Sequence, residues 1–221
     1  MRFFDRFKQG ELRLGRIEAF SDGVFAIVVP LLVLELKVPV LKDHASTGEL
    51  AHHLVELAPK FLSWLISFII VCKFWLNHHH LLGLARHADY AMVWLNSIFL
   101  MGQSFIPFPT ALMGEYPTNC LAVSLFGCVF ALNTLLFIAL NRYIVRNLLK
   151  PELAGTQDPH ALRKAMVGPL SYLVGAAAAW LSVHAAFVVY LLTPLFYITP
   201  PSWHGRAASS GAGGAHEGAA K

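Results

Sequence analysis

The sequence predicts an all-α integral membrane protein that crosses the bilayer with six transmembrane helices. Three observations carry this reading. First, 56% of the 221 residues are hydrophobic and only 14% are charged, whereas an ordinary soluble domain carries about 25% charged residues. Second, the apolar residues gather into runs near the roughly 20 residues that a helix needs to cross the hydrocarbon core. Third, the basic residues collect on alternate sides of those runs. A chain this poor in charge cannot cover the surface of a soluble globule. That argues against a cytosolic enzyme, a disordered protein and a nucleic-acid binder, despite a pI near 9.1. Cys72, Cys120 and Cys128 lie inside apolar runs, where a free thiol behaves as a small hydrophobe and sets no disulfide framework.

The spans are expected at 17–38, 57–77, 90–109, 120–143, 163–182 and 184–200. The first run is too long for the apolar core of a signal peptide and lacks a small-residue cleavage site. The last two spans are read from one apolar stretch, Gly168 to Ile198, which is too long for one helix of ordinary tilt. Its most polar point, Ser182 with His184, marks the turn. Residues 1–200 are thus taken as one membrane domain, and 201–221, rich in Gly, Ala and Ser, as a flexible cytoplasmic tail. Fourteen of the 17 Lys and Arg residues fall on one side of these spans; Lys37, Lys42 and Lys60 fall on the other. The positive-inside rule then places both termini in the cytoplasm, in agreement with an even number of spans.

The first span holds the most informative residues. Glu18 and Asp22 lie four apart, and Asp22 is already inside the apolar run. An ionisable group at that depth is costly and usually has a partner or a task; the simpler alternative is an interfacial position near the positive end of the helix dipole. At about 100° per residue, Ile27, Leu31 and Leu34 share one stripe, with Phe20 and Gly23 beside it, and Asp22 points roughly 140° away. Taken alone, such a stripe suits helix packing or lipid contact. Asp22 is expected to meet the end of the second span, Trp75-Leu76-Asn77-His78-His79-His80, which lies at the same depth. The expected contact is a hydrogen-bonded cluster of Asp22, Asn77 and His78 or His79. Lys73, a turn deeper, can snorkel to the cytoplasmic face. The three consecutive histidines raise a metal site, but neighbours on a helix diverge by about 100° and converge only if the helix has ended. The third span closes on Pro107 and Pro109, which stop or kink it, before Gly114-Glu115-Tyr116-Pro117.

The segment RIEAFSDGVFAIVVPLLVLEL resembles the RxxxFSD signature and following helix of the transmembrane protein 175 family of potassium channels. FWLNHHHLL resembles that family's second-helix ending, and Asn96 through PFPTALMGEYP its third-helix pattern. The likeness covers residues 16–117 with specific motifs and extends beyond them only as hydropathy. It implies a bacterial inner-membrane channel, a homotetramer around a central pore lined by the first helices, with potassium as the permeating ion and no cofactor. By distance from the signature aspartate, it implies Ile27 as the main hydrophobic constriction and Leu31 and Leu34 as apolar rings beyond it. Arg16, Phe20, Ser21 and Asp22 match the signature, which in the family ties the first helix to its neighbours, together with Trp75, Asn77, His78 and His79 here. One departure is Pro30, where many bacterial relatives carry Thr or Ser. Pro30 sits about 60° from the Ile27 line, on the pore flank. Either the Ala26 carbonyl, freed by the proline, replaces the missing hydroxyl, or the proline only reshapes the helix. The alternative function is a proton-linked cation transporter using Asp22 and the histidines as a relay; against it stands the lack of matched broken helices in two halves.

Overall fold

A computed structural model describes residues 13–153 and 160–196. The expected tail at 201–221, the end of the sixth span and most of the N-terminal basic segment lie outside the described residues. Helix α1 spans Leu14–Leu31 and tightens into a 3-10 turn, Leu32–Glu35. A short surface helix, α2 (Thr47–Glu56), precedes α3 (Ala58–Leu84). Helices α4 (Tyr90–Phe105) and α5 (Pro107–Glu115) run nearly end to end. Then follow α6 (Cys120–Tyr143), extended by a wider turn at Ile144–Leu148, α7 (Ala161–Ala178) and α8 (Val183–Phe196). Four stretches, Leu14–Glu35, Ala58–Leu84, Tyr90–Glu115 and Cys120–Leu148, are long and apolar enough to cross a membrane; Val183–Pro194 is apolar but shorter.

Local chemistry explains most ends. Asp89 caps α4, its Oδ1 accepting from Met92 N at 2.8 Å, and Asn119 caps α6 by accepting from Leu121 N and Ala122 N. Pro107, lacking an N–H, interrupts the third span for one residue, and its preset φ then starts α5. The prolines therefore divide this span rather than end it, and helix continues to Glu115. There Glu115 pairs with Lys60 at the start of α3, Oε2 to Nζ 2.5 Å. The turn between α7 and α8 falls at residues 179–182, with Ser182 Oγ accepting from Ala185 N at 3.4 Å. Trp180 and Leu181 are exposed at its tip, as interfacial anchors would be.

Helix α2 is held by its own loop. Ser46 Oγ accepts from Glu49 N at 3.2 Å, while Glu49 accepts from Lys42 N at 2.9 Å and Asp43 N at 3.2 Å. These backbone donors, Lys42 first, hold the Glu49 carboxyl below the usual glutamate range. A carboxyl depressed on folding contributes stability above its unfolded pKa, and the contribution is lost as pH falls through the folded value.

Inside the bundle, polar groups bridge helices instead of facing hydrocarbon. Ser67 lies 2.7 Å from Thr110, joining α3 to α5. Gln103 Nε2 donates to Asn133 Oδ1 at 3.0 Å, joining α4 to α6. Ser124 Oγ donates to the Ala176 carbonyl at 2.7 Å, and the Tyr190 hydroxyl donates to the Val123 carbonyl at 2.9 Å, fastening α7 and α8 to α6. Small residues at these crossings permit close approach: the ring of Tyr190 lies in the space left by Gly127 and Gly175. Below the membrane-spanning region of α3 and α6, Arg86 N donates to the Leu148 carbonyl at 2.9 Å and Lys150 N to the Leu84 carbonyl at 3.0 Å, closing one antiparallel bridge between the two loops.

Gly175→Val forces its branched side chain into the Tyr190 ring. It is expected to lower stability by about 1–3 kcal/mol, read as an earlier thermal transition in detergent; an unchanged transition would show that α8 packs elsewhere. For α2, the protection of the Lys42 and Asp43 amides against hydrogen exchange, taken relative to the intrinsic rate at each pH, should fall as pH drops below the ordinary glutamate range, and Glu49→Gln should remove most of that pH dependence.

Candidate functional site

Helix α1 has two faces of different character. Ile17, Ser21, Phe25, Val28 and Leu32 are buried against the other helices. On the other side, Phe20, Ile27 and Leu34 are 62%, 61% and 66% exposed, and Leu31 and Pro30 are exposed with them. The two sets are separated by the angle that a 3.6-residue repeat dictates. Among the described residues, nothing lies within 4 Å of where a side chain on Gly15 or Gly23 would begin. Just after Pro30 the helix tightens into the 3-10 turn, and Leu32 N bonds to both the Val28 and Pro30 carbonyls.

The buried face is fastened by a line of hydrogen bonds through three helices. Ser21 Oγ donates to the Ile17 carbonyl at 2.8 Å and accepts from Asn96 Nδ2 at 2.9 Å. Asn96 Oδ1 lies 2.7 Å from His78 Nε2. Since the amide nitrogen of Asn96 is used on Ser21, its oxygen must accept, which puts the imidazole proton on Nε2. All three side chains are buried. The imidazole lies between Phe25, ring centroids 5.7 Å apart, and Phe99, stacked at 5.5 Å. The line thus runs α1 to α4 to α3 within aromatic walls.

Asp22 makes a second, more exposed attachment. Its Oδ1 accepts from Trp75 Nε1 at 2.9 Å. One turn along, His79 Nδ1 lies 3.3 Å from Glu18 Oε1, and its ring stacks on Trp75 at 5.9 Å. Glu18 and Asp22, four apart on α1, therefore meet Trp75 and His79, four apart on α3.

The sequence reading of this cluster needs correction at several positions. Asn77 does not join it; that side chain lines a separate cavity between α3, α6 and α7. Helix α3 continues to Leu84 instead of stopping near Asn77, so His78, His79 and His80 take three directions: into the core, onto Glu18, and into that cavity. Asp22 meets the indole of Trp75, not a histidine, because His78 is turned to Asn96. Arg16 and Phe20 project from the exposed face and take no part in the attachment. Asn96, an amide eleven residues before Pro107 in an apolar run, is the partner that the sequence reading lacks; its polarity at that depth is the signal for it. Glu18 was noted without a partner.

The first helix of this bundle is thus held by a polar line on one face and exposed on the other, with its arginine and aspartate flanking a Phe-Ser pair. The profile of the family described as endosomal/lysosomal potassium channel TMEM175 matches residues 16–107. A potassium channel of Chamaesiphon minutus is 39% identical over 79% of this chain and 90% of that protein. A potassium channel of Streptomyces collinus is 31% identical over 83% of this chain and 90% of its own length. The human endosomal/lysosomal proton channel TMEM175 is 42% identical over 38% of this chain, which is only 18% of the human protein. Among solved structures, a crystal structure described as a lysosomal potassium-selective channel TMEM175 homolog from Chamaesiphon minutus superposes with a TM-score of 0.70 at 35% identity, covering 84% of this chain and 96% of that one. The chain belongs to the TMEM175 family of ion channels.

Because Asn96 bonds two buried partners at once, Asn96→Leu leaves His78 Nε2 without its acceptor and Ser21 Oγ without its donor, Ser21 keeping only its bond to the Ile17 carbonyl. It should cost about 2–4 kcal/mol, more than one unsatisfied group, and should lower the melting temperature further than Trp75→Phe, which removes only the exposed bond to Asp22. Equal losses would place the principal attachment of α1 on the Asp22 side.

Proposed function

We propose that this protein is a potassium-conducting channel of the bacterial inner membrane, a homotetramer in which four copies of α1 surround the ion path. Six helices cross the bilayer in this reading, with α7 and α8 as the fifth and sixth, and both termini are cytoplasmic. The observation that carries it is the bare face of α1. That helix is held on its Ser21 and Asp22 side, and among the described residues Ile27, Leu31 and Leu34 are left exposed. Lipid would accept such a face as well. What favours a pore is the family to which the chain belongs, together with an attachment that sets the rotation of α1 about its own axis.

Four Ile27 side chains around one axis make a narrow, dry ring, and Leu31 and Leu34 prolong it. A hydrated ion crosses only when such a constriction widens or wets. Potassium sheds water at lower cost than sodium, so a desolvating ring gives modest selectivity with slow, leak-like conduction. No residue changes covalently, and the reading calls for no ligand other than the permeating ion. Pro30 takes a flank position where a hydroxyl is absent; the Ala26 carbonyl, whose usual donor the proline lacks, is the nearest replacement. Asp22 bonded to an indole, rather than to an imidazole, favours an anchoring role over a proton relay.

Purified protein in liposomes with a potassium gradient should show downhill flux without a coupling ion, and mass determination in detergent should give four chains. Absence of flux, or flux that needs a proton gradient, would sink the channel reading. Ile27→Asn should wet the ring, raising flux and lowering potassium-over-sodium preference by about tenfold, the scale of a 1.4 kcal/mol barrier change. Wild-type selectivity in an assembled Ile27→Asn tetramer would put the constriction elsewhere. Pro30→Thr separates the two roles of Pro30: unchanged selectivity would leave the proline as a shaping residue only.

A further inference from the structure

A cavity of about 270 Å³ opens between α3, α6 and α7, away from the α1 attachment. From α3 it receives Lys73, Asn77 and His80, which recur at i, i+4 and i+7 and so form one row along the helix. From α6 it receives Thr134 and Asn141, two turns apart. Phe74, Phe137 and Tyr172 supply apolar wall. These polar residues sit on the candidate spans Ala58–Leu84 and Cys120–Leu148. Polar and cationic side chains at membrane depth are expensive unless they face a polar content. The Thr134 hydroxyl already donates to the Phe130 carbonyl at 2.8 Å. Asn77 and His80, both exposed, line the cavity together with Asn141 and Lys73.

We propose that this cavity binds an anionic phospholipid, with its phosphate among Lys73, Asn77 and Asn141 and the start of an acyl chain along Phe74 and Phe137. The composition of the wall selects this occupant. One cation and several amide donors suit a phosphate, and aromatic walls suit methylene groups. A zwitterionic headgroup would bring a second cation beside Lys73 and His80. Basic pockets between transmembrane helices on the cytoplasmic side recognise anionic headgroups in this way, and Arg142, Arg163 and Lys164 extend the positive charge at the same end of α6 and α7. The volume admits a headgroup and the first methylenes but not a whole lipid, so the chains must lie outside, between the helices and the bilayer. The site shares no residue with the Ile27 constriction, and its test does not depend on conduction.

The test is native mass spectrometry of the full-length protein in detergent, after incubation with phosphatidylglycerol, with phosphatidylcholine of the same chains, or with inorganic phosphate. Wild type should retain one phosphatidylglycerol per chain and release phosphatidylcholine readily. Lys73→Gln should reduce phosphatidylglycerol retention about fivefold, as expected for one cation near a headgroup. Ala165→Phe, which narrows the cavity and leaves Lys73 in place, should reduce it as well; this second variant decides the matter if Lys73→Gln fails to fold. Equal retention of the two lipids, or undiminished retention in Ala165→Phe, overturns the proposal. Displacement of phosphatidylglycerol by inorganic phosphate also overturns it, in favour of a small-anion site.

Discussion

The bond between Asn96 and Ser21 is the constraint on which the arrangement of this protein turns. An isolated apolar helix in a membrane has little to set its rotation, because lipid accepts any apolar side. A buried hydroxyl changes that. Once Ser21 accepts from Asn96, and Asn96 in turn accepts from His78, α1 can present only one face to the bundle. The opposite face, with Ile27 at its centre, is then determined by default. The cost of breaking the line is high for the reason that makes it selective: each member is buried, and water cannot replace a lost partner.

The same economy recurs lower in the hierarchy. Ser67 with Thr110, Gln103 with Asn133, and Ser124 with the Ala176 carbonyl each join two helices through one short polar contact. In a bilayer the apolar surfaces of helices gain little by leaving lipid for one another, so close packing and such contacts must define the geometry. Tyr190 over Gly127 and Gly175 is the packing counterpart. Together they form a scaffold against which α1 is held, and they leave a space between α3, α6 and α7, lined by a polar row that none of these contacts requires.

The division of α1 into a held face and a bare face also explains why the RxxxFSD segment behaves as a unit. Its serine enters the buried line and its aspartate reaches Trp75 on α3. Its arginine and phenylalanine lie with Ile27 on the other side. A single signature therefore contributes to both faces. The neighbouring Glu18 adds a contact with His79 that the signature does not include.

Much of this protein was legible in the order of its residues, and the rest was not, for a definite reason. Apolar runs sufficed for four main spans, because hydrocarbon thickness acts on each segment separately. Helical period alone separated Asp22 from the Ile27 stripe. The surface helix Thr47–Glu56, capped by Ser46, the persistence of α3 to Leu84 and the resumption of helix at Pro107 are features that hydropathy does not register. The partners of Asp22, Ser21 and Asn77 escaped it more completely. Sequence determines which residues share a face of one helix; it does not determine how that helix is rotated against its neighbours. Only the packed bundle decided that Asn96 takes Ser21 and His78, that Trp75 takes Asp22, and that Asn77 turns to the cavity, because those choices follow from the joint rotation and depth of α1, α3 and α4.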